Sequence, residues 1–153
     1  MELNISFRKA GIEDAELLAN LYNQSFYADY IRFGQCPGYG KTKESMEKSL
    51  PVRPKHIIMI NENPVGALSF ENTKINEYYI GCICIIPEFQ GKGIGTAAFN
   101  YILSLCKDWK RINLVTPQEK RENILFYTQK CGMQLGETSI DENIKITELY
   151  LER

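Results

Sequence analysis

Residues 83–96 read Ile83-Cys84-Ile85-Ile86-Pro87-Glu88-Phe89-Gln90-Gly91-Lys92-Gly93-Ile94-Gly95-Thr96. The apolar run ending at Pro87 has the character of a buried strand, the alternating glycines form a turn, and Ile94 opens a periodic helix. Glycine admits positive φ and lets the backbone approach a ligand without a Cβ clash. The first N–H groups of a helix are unpaired donors at the positive end of its dipole. A phosphate or pyrophosphate suits such a turn, although glycines alone also serve a plain strand-to-helix connection. Two familiar phosphate loops fit poorly. The dinucleotide fingerprint G-x-G-x-x-G finds Thr96 where its last glycine belongs. Gly40-Lys41-Thr42 supplies the end of G-x-x-x-x-G-K-[ST], but Gln35 occupies the first glycine position and no strand precedes it.

Working outward, residues 77–86 are almost continuously apolar and predict a mid-sheet strand buried on both faces. Ile57-Ile58-Met59-Ile60 and Val65-Gly66-Ala67-Leu68-Ser69-Phe70, separated by Asn61-Glu62-Asn63-Pro64, predict a hairpin. Leu3-Asn4-Ile5-Ser6-Phe7 alternates as a half-buried strand does. Residues 11–27 set Ala15, Leu18, Tyr22 and Phe26 on one helical stripe, with Glu13, Asp14 and Glu16 in the first turn, where the dipole favours acids. Residues 25–43 show no clear period, and 42–50 predict a short helix stopped by Pro51. After the glycines, Ile94, Ala98, Ile102, Leu105 and Trp109 form one helical stripe. A strand at 112–115 ends at Pro117, a helix at 121–131 has Gly132 as its C-cap, and two strands, 133–140 and 144–151, complete the chain. The order β-α-α-β-β-β-α-β-α-β-β predicts an α/β fold with a mixed sheet and helices on both faces. No repeat or linker interrupts the 153 residues, so one domain, 1–153, is expected.

Apolar residues make up 44% and charged residues 24%, close to the globular average, so the chain can bury a core. Eighteen Lys and Arg against nineteen Asp and Glu leave a net charge of −1. That balance offers no broad footprint for nucleic acid or an anionic membrane surface, so neither partner is expected. It leaves room for a small anion held by backbone N–H groups. The longest apolar stretch, residues 78–87, falls far short of the roughly 20 residues that span a bilayer. Met1-Glu2-Leu3-Asn4-Ile5 carries neither a basic nor an apolar signal region. Five cysteines, Cys36, Cys82, Cys84, Cys106 and Cys131, lack paired spacing, which fits a reducing compartment, and a cytoplasmic location is expected. Cys82 and Cys84 point to one face of a strand, but His56 is the single histidine. No metal is expected, and the thiols read as buried and inert.

Gln90-x-x-Gly93-x-Gly95, directly after a strand ending in Ile-Cys-Ile-Ile-Pro, resembles the Q/R-x-x-G-x-G/A motif of the GNAT superfamily of N-acetyltransferases. Asn123-Ile124-Leu125-Phe126-Tyr127-Thr128-Gln129-Lys130-Cys131-Gly132-Met133 is similar to the family's N-x-x-A-x-x-F-Y-x-x-x-G-F segment. Leu125 and Phe126 stand in a slightly shifted aromatic register, and Met133 replaces the common Phe. The resemblance implies a single-domain GNAT-like α/β fold. Its sheet would be mixed, mostly antiparallel and of about seven strands, with helices on both faces and a splay between the fourth and fifth strands.

The resemblance also implies acetyl-CoA as co-substrate and transfer of its acetyl group to a primary amine of a small molecule or peptide, by direct attack on the thioester. Backbone groups of Ile83 and Ile85 are implied to hold the pantetheine arm, the Ile85 N–H polarising the thioester carbonyl. Ordinary sheet pairing is the alternative. Gln90, Gly91, Lys92, Gly93, Ile94, Gly95 and Thr96 are implied to hold the phosphates. Asn123 would contact the pantetheine arm or serve as a plain N-cap. Tyr127 is implied to protonate the leaving thiolate, unless it is a core aromatic. Glu77 is the candidate base for the acceptor, against a solvated strand-end carboxylate. Phe26, Tyr27, Asp29 and Tyr30, in a stretch that also holds Arg32, Phe33 and Tyr39, would bind a cationic acceptor, or else form a small core under a long loop. A homodimer is a possible assembly. A non-catalytic acyl-CoA-binding module and a protein-interaction domain are the competing functions.

Overall fold

The computed structural model describes residues 3–153 of the chain, so the reading of Met1 and Glu2 lies outside the described residues. Seven strands, β1 (Ile5–Lys9), β2 (Lys55–Ile60), β3 (Asn63–Lys74), β4 (Glu77–Ile85), β5 (Arg111–Pro117), β6 (Gln134–Asp141) and β7 (Ile144–Glu152), form one sheet. Their order is β1-β2-β3-β4-β5-β7-β6. The helices are α1 (Ala15–Phe33), α2 (Lys43–Ser49), α3 (Ile94–Leu105) and α4 (Arg121–Leu125), the last continuing into a π turn at Phe126–Lys130. β4 and β5 pair in parallel and the other described pairs run antiparallel, giving the mixed sheet expected. The parallel ladder joins Glu77, Tyr78 and Tyr79 to Arg111, Ile112 and Asn113, the first part of a nine-residue β4. This is the splayed pair. Two compact units divide the contacts: one runs up to Phe70 and includes Cys82–Ala98, the other is Glu71–Gly81 with Phe99–Arg153.

In the first unit, Leu18, Tyr22 and Met46 from α1 and α2 pack with Ile57, Ala67 and Cys84 of the sheet. Ile57 and its neighbour Ile58 point to opposite faces, and both are fully buried. Both faces of the sheet are therefore covered here. Asp14 pins β1 to the start of α1: its carboxylate accepts two hydrogen bonds from Arg8, at 2.9 and 3.0 Å, and one from the Gly11 N–H at 2.9 Å. A Cβ at Gly66 would collide with the Cys84 carbonyl oxygen, so glycine is what lets β3 and β4 close up. The Asn61-Glu62 turn between β2 and β3 has positive φ at both residues, the geometry of a type I′ hairpin.

In the second unit, Ile112, Leu114 and Leu149 are buried, whereas the alternate positions carry Arg111, Asn113 and Glu148. The sheet is apolar on one face and polar on the other. On the polar face Glu148 accepts from Arg111 and Asn113, both at 2.9 Å, and Arg111 lies over the Tyr150 ring. Phe99 and Ile102 of α3 are buried.

Several boundaries differ from the sequence expectation. The first helix does not end near Tyr27 but continues to Phe33, because nothing breaks it before Gly34, which takes the left-handed C-cap conformation at φ 76°. The aromatic stretch is thus largely helical. Ile12–Asp14 form a 3₁₀ turn rather than the first helical turn. The glycine-loop helix stops at Leu105, and Trp109 closes a separate turn through its N–H to Cys106. β4 is less buried than its composition suggests: among its residues Ile80 and Cys84 are buried, and Gly81 is exposed. The helix expected over 121–131 is α4 plus the π turn.

Candidate active site

Residues 83–96 form the strand, turn and helix that their sequence predicts. β4 ends at Ile85, a 3₁₀ turn covers Pro87–Phe89, and α3 begins at Ile94. Gly91 and Gly93 both hold positive φ, 75° and 81°, with nothing within 4 Å of the place a Cβ would take. The turn is therefore open on its outer side, in front of a helix whose first intrahelical bond is Ala97 N–H to Gly93 O at 3.2 Å. The preceding donors, from Ile94 onward, belong to the orphan set of a helix N-terminus. That chemistry fits a diphosphate. Gln90 turns back on the strand, its Nε2 donating to the Ile85 carbonyl at 2.9 Å, which braces the loop. Lys92 is exposed, and Ile83, Ile85 and Thr96 are half-buried.

The second half of α1 carries no fully buried residue after Tyr22. It is held from outside: Asn23 exchanges two hydrogen bonds with the backbone of Lys41, at 2.9 and 2.8 Å, and Tyr39 stacks on Tyr30 at 4.6 Å. These ties shape a cleft of about 380 Å³ lined by Asn23, Gln24, Tyr27, Tyr39, Pro87 and Glu88. Of the four acceptor residues expected, Tyr27 lines this cleft and Tyr30 backs its Tyr39 wall. Phe26 turns inward against the core and fills the space that a side chain on Gly38 would need. Asp29 is half-buried and does not line the cleft. Glu88 joins this cleft from the turn before the glycines, and nothing in its local sequence pattern ties it to the aromatic residues of α1.

In the second unit, Tyr127 sits in the π turn, 7% exposed. Its ring meets Phe126 at 4.9 Å and Phe99 at 6.5 Å, both edge-on. Met133 N–H binds its carbonyl at 2.9 Å, closing the turn. Asn123 is not the N-cap of α4, a position Lys120 fills. Its side-chain Nδ2 instead donates to Thr116 Oγ1 at 3.2 Å, and Thr116 is buried at the end of β5. Glu77 is half-buried in the ladder opposite Arg111. The Arg111, Asn113 and Glu148 set escaped the sequence pattern because Glu148 lies far along the chain from its two partners, and Thr116 because its tie to Asn123 is fixed by the way β5 leads into α4. Among the described residues, no three His, Cys, Asp or Glu side chains converge as metal ligands, and no helix is long and apolar enough to cross a membrane.

The sequence model of the acetyltransferase (GNAT) family matches residues 15–133, a span that contains the glycine turn, Asn123 and Tyr127. The chain belongs to the GNAT acetyltransferase family. Among curated proteins, YrkN of Bacillus subtilis (strain 168) is 32% identical over 82 residues, covering 54% of this chain and 44% of YrkN. The chain thus matches less than half the length of that relative. Among solved structures, an acetyltransferase from Thermus thermophilus superposes with a TM-score of 0.81 at 18% identity, over 99% of this chain and 98% of that one. The PaiA N-acetyltransferase of Thermoplasma acidophilum, in complex with coenzyme A, gives 0.76 at 19% identity over 95% and 98%. The spermidine N-acetyltransferase of Vibrio cholerae, in complex with CoA and spermine, gives 0.77 at 17% over 97% and 95%. At these identities the structures establish the GNAT fold.

Proposed function

We propose that this chain is an acetyl-CoA-dependent N-acetyltransferase that moves an acetyl group to a primary amine by direct attack on the thioester. The observation that carries this reading is the open turn of Gly91 and Gly93 in front of α3 within a GNAT-family sequence. Backbone N–H groups from Gly91 to Thr96 hold the diphosphate, which explains how a chain of net charge −1 binds a polyanion. Ile83 and Ile85 supply strand backbone to the pantetheine arm, and Asn123, oriented by Thr116, supplies a side-chain contact. When bound, acetyl-CoA supplies the activated acyl group. Tyr127 carries the proton that the departing thiolate needs, at a hydroxyl whose ordinary pKa is about 10.

The acceptor must lose a proton as well. For an alkyl amine of pKa about 10.4 this costs roughly 4.6 kcal/mol at pH 7, whereas an α-amine near 8 costs only about 1.4. Glu77 is the base assigned to that step, directly or through a water. The cleft of Tyr27, Tyr39 and Glu88 offers a cationic acceptor two aromatic faces and a carboxylate, the combination that stabilises ammonium groups. Polyamines and peptide or amino-acid amines are therefore the acceptors to try first.

Acetyl-CoA titration is the first test, and no binding at millimolar ligand overturns the reading. Tyr127→Phe is expected to keep acetyl-CoA binding and lose most turnover in a free-thiol release assay. Equal turnover would remove Tyr127 from the acid role. Release with no amine, across polyamines, aminoglycosides, amino acids and peptides, would leave acyl-CoA binding without transfer.

A further inference from the structure

The cleft between α1 and the turn after β4 has walls that are fixed by the protein itself. Tyr39 is stacked on Tyr30, and Asn23 commits both ends of its amide to the Lys41 backbone. Tyr27 meets Tyr39 at 5.8 Å with the rings inclined by 53°, so the two form a corner and not a stack. Beside them stands Glu88, exposed, its carboxylate without a hydrogen bond or ion pair among the described residues. No Lys or Arg lines the cleft. One uncompensated negative charge beside two ring faces makes a site for a cation.

That cation is not the nitrogen that attacks. Attack needs a neutral amine, and at pH 7 roughly one alkyl amine in 2,500 is neutral when its pKa is about 10.4. A carboxylate and ring faces favour the charged form, and each further unit of pKa removes neutral amine about tenfold. A cleft with this lining therefore suppresses acetylation of the nitrogen it holds, and suits a second nitrogen of the same molecule. The rings also select the kind of cation. Aromatic faces do not replace the water around a compact primary ammonium, whereas N-methyl groups spread the charge over apolar surface that fits both rings.

We propose that the cleft is a specificity site for an N-methylated ammonium group, so that the acceptor carries a free primary amine at one end and this cation at the other. The inference rests on the acetyl-transfer reading, which puts the thioester at Ile85. Pro87, in the cleft wall, is two residues further on, a span of at most about 7 Å. A spacer of a few carbons therefore suits the two nitrogens. The primary nitrogen forms the amide bond as the thioester C–S bond breaks. Its proton leaves through the base, the thiolate takes one from Tyr127, and the methylated nitrogen is unchanged.

Calorimetric titration of the full chain, with and without coenzyme A, tests the cleft with three ligands. These are (3-aminopropyl)trimethylammonium, 1,3-diaminopropane and 4,4-dimethylpentylamine, the last having carbon in place of the methylated nitrogen. The methylated cation should bind at least about tenfold tighter than either of the others. Tyr27→Leu and Glu88→Gln, both at exposed positions, should each weaken its binding at least about fivefold. Equal affinity for either of the other ligands, or affinity that neither substitution changes, overturns the proposal. Free-thiol release with acetyl-CoA then separates this inference from the reading beneath it. Preferred binding with no release from any amine supports the cation site and overturns acetyl transfer. Release from other amines, with the methylated cation bound but never acetylated, overturns the acceptor assignment and leaves acetyl transfer standing.

Discussion

Thr116 gives Asn123 its direction. The hydroxyl is buried at the end of β5, and the 3.2 Å bond from the Asn123 amide is the described tie on that side chain. A neutral hydrogen bond contributes about 0.5–1.5 kcal/mol, so losing this one should raise KM for acetyl-CoA roughly two- to tenfold. Thr116→Val is expected to do so with kcat unchanged, and Thr116→Ser should restore KM. An unchanged KM in Thr116→Val would dissociate Asn123 from the ligand. At this scale Asn123 and Tyr127 were legible because a local motif carries them. Thr116 was not, since its partner is fixed by the way β5 leads into α4 rather than by any pattern around Thr116 itself.

At the scale of elements, the close approach of β3 and β4 depends on Gly66. A methyl group there meets backbone, the Cys84 carbonyl, and backbone does not swing aside as a side chain does. Gly66→Ala should therefore destabilise the fold by about 1–3 kcal/mol, the usual penalty for overpacking. Urea unfolding measures it, and a midpoint equal to wild type would show that the strands separate freely. The strand, glycine turn and helix of residues 83–96 were legible because each step has its own residue chemistry. The second half of α1 was not. Its Phe26, Tyr30 and Phe33 keep helical spacing, but the aromatics crowd several faces and no residue after Tyr22 is buried, so no single core-facing stripe marks it. The π turn was hidden for a related reason: a single wide turn leaves too few repeats to separate i+4 from i+5 spacing.

Across the whole molecule, a buried Asp14 and a half-buried His56 make the fold sensitive to acid. Arg8, through its hydrogen bonds, holds the Asp14 carboxyl below its ordinary pKa, so Asp14 adds stability above the unfolded value that is lost as pH falls through the folded one. Burial, helped by Lys9, lowers the His56 pKa, and the unfolded chain therefore binds this proton first as pH drops below neutrality. Both slopes have the same sign. Melting temperature is expected to fall between pH 7 and 5 through His56 and again below pH 4 through Asp14. Asp14→Asn should flatten the second decline while lowering stability at pH 7, and an unaltered acid limb would contradict the assignment.

The sheet order leaves β6 at one end, with almost every residue exposed and Leu135 and Ile140 among them. An exposed eight-residue strand is an invitation to polymerise, since a further chain can add to its free edge. Here the pairing with β7 slips between Leu135 and Thr138, where Gly136 makes room for the Glu148 side chain. The slip bends the strand and puts Glu137 at the kink, so an incoming strand meets a broken line of donors and a negative charge. The same small residue that lets Glu148 settle beside Arg111 and Asn113 thereby guards the chain against amyloid-like growth.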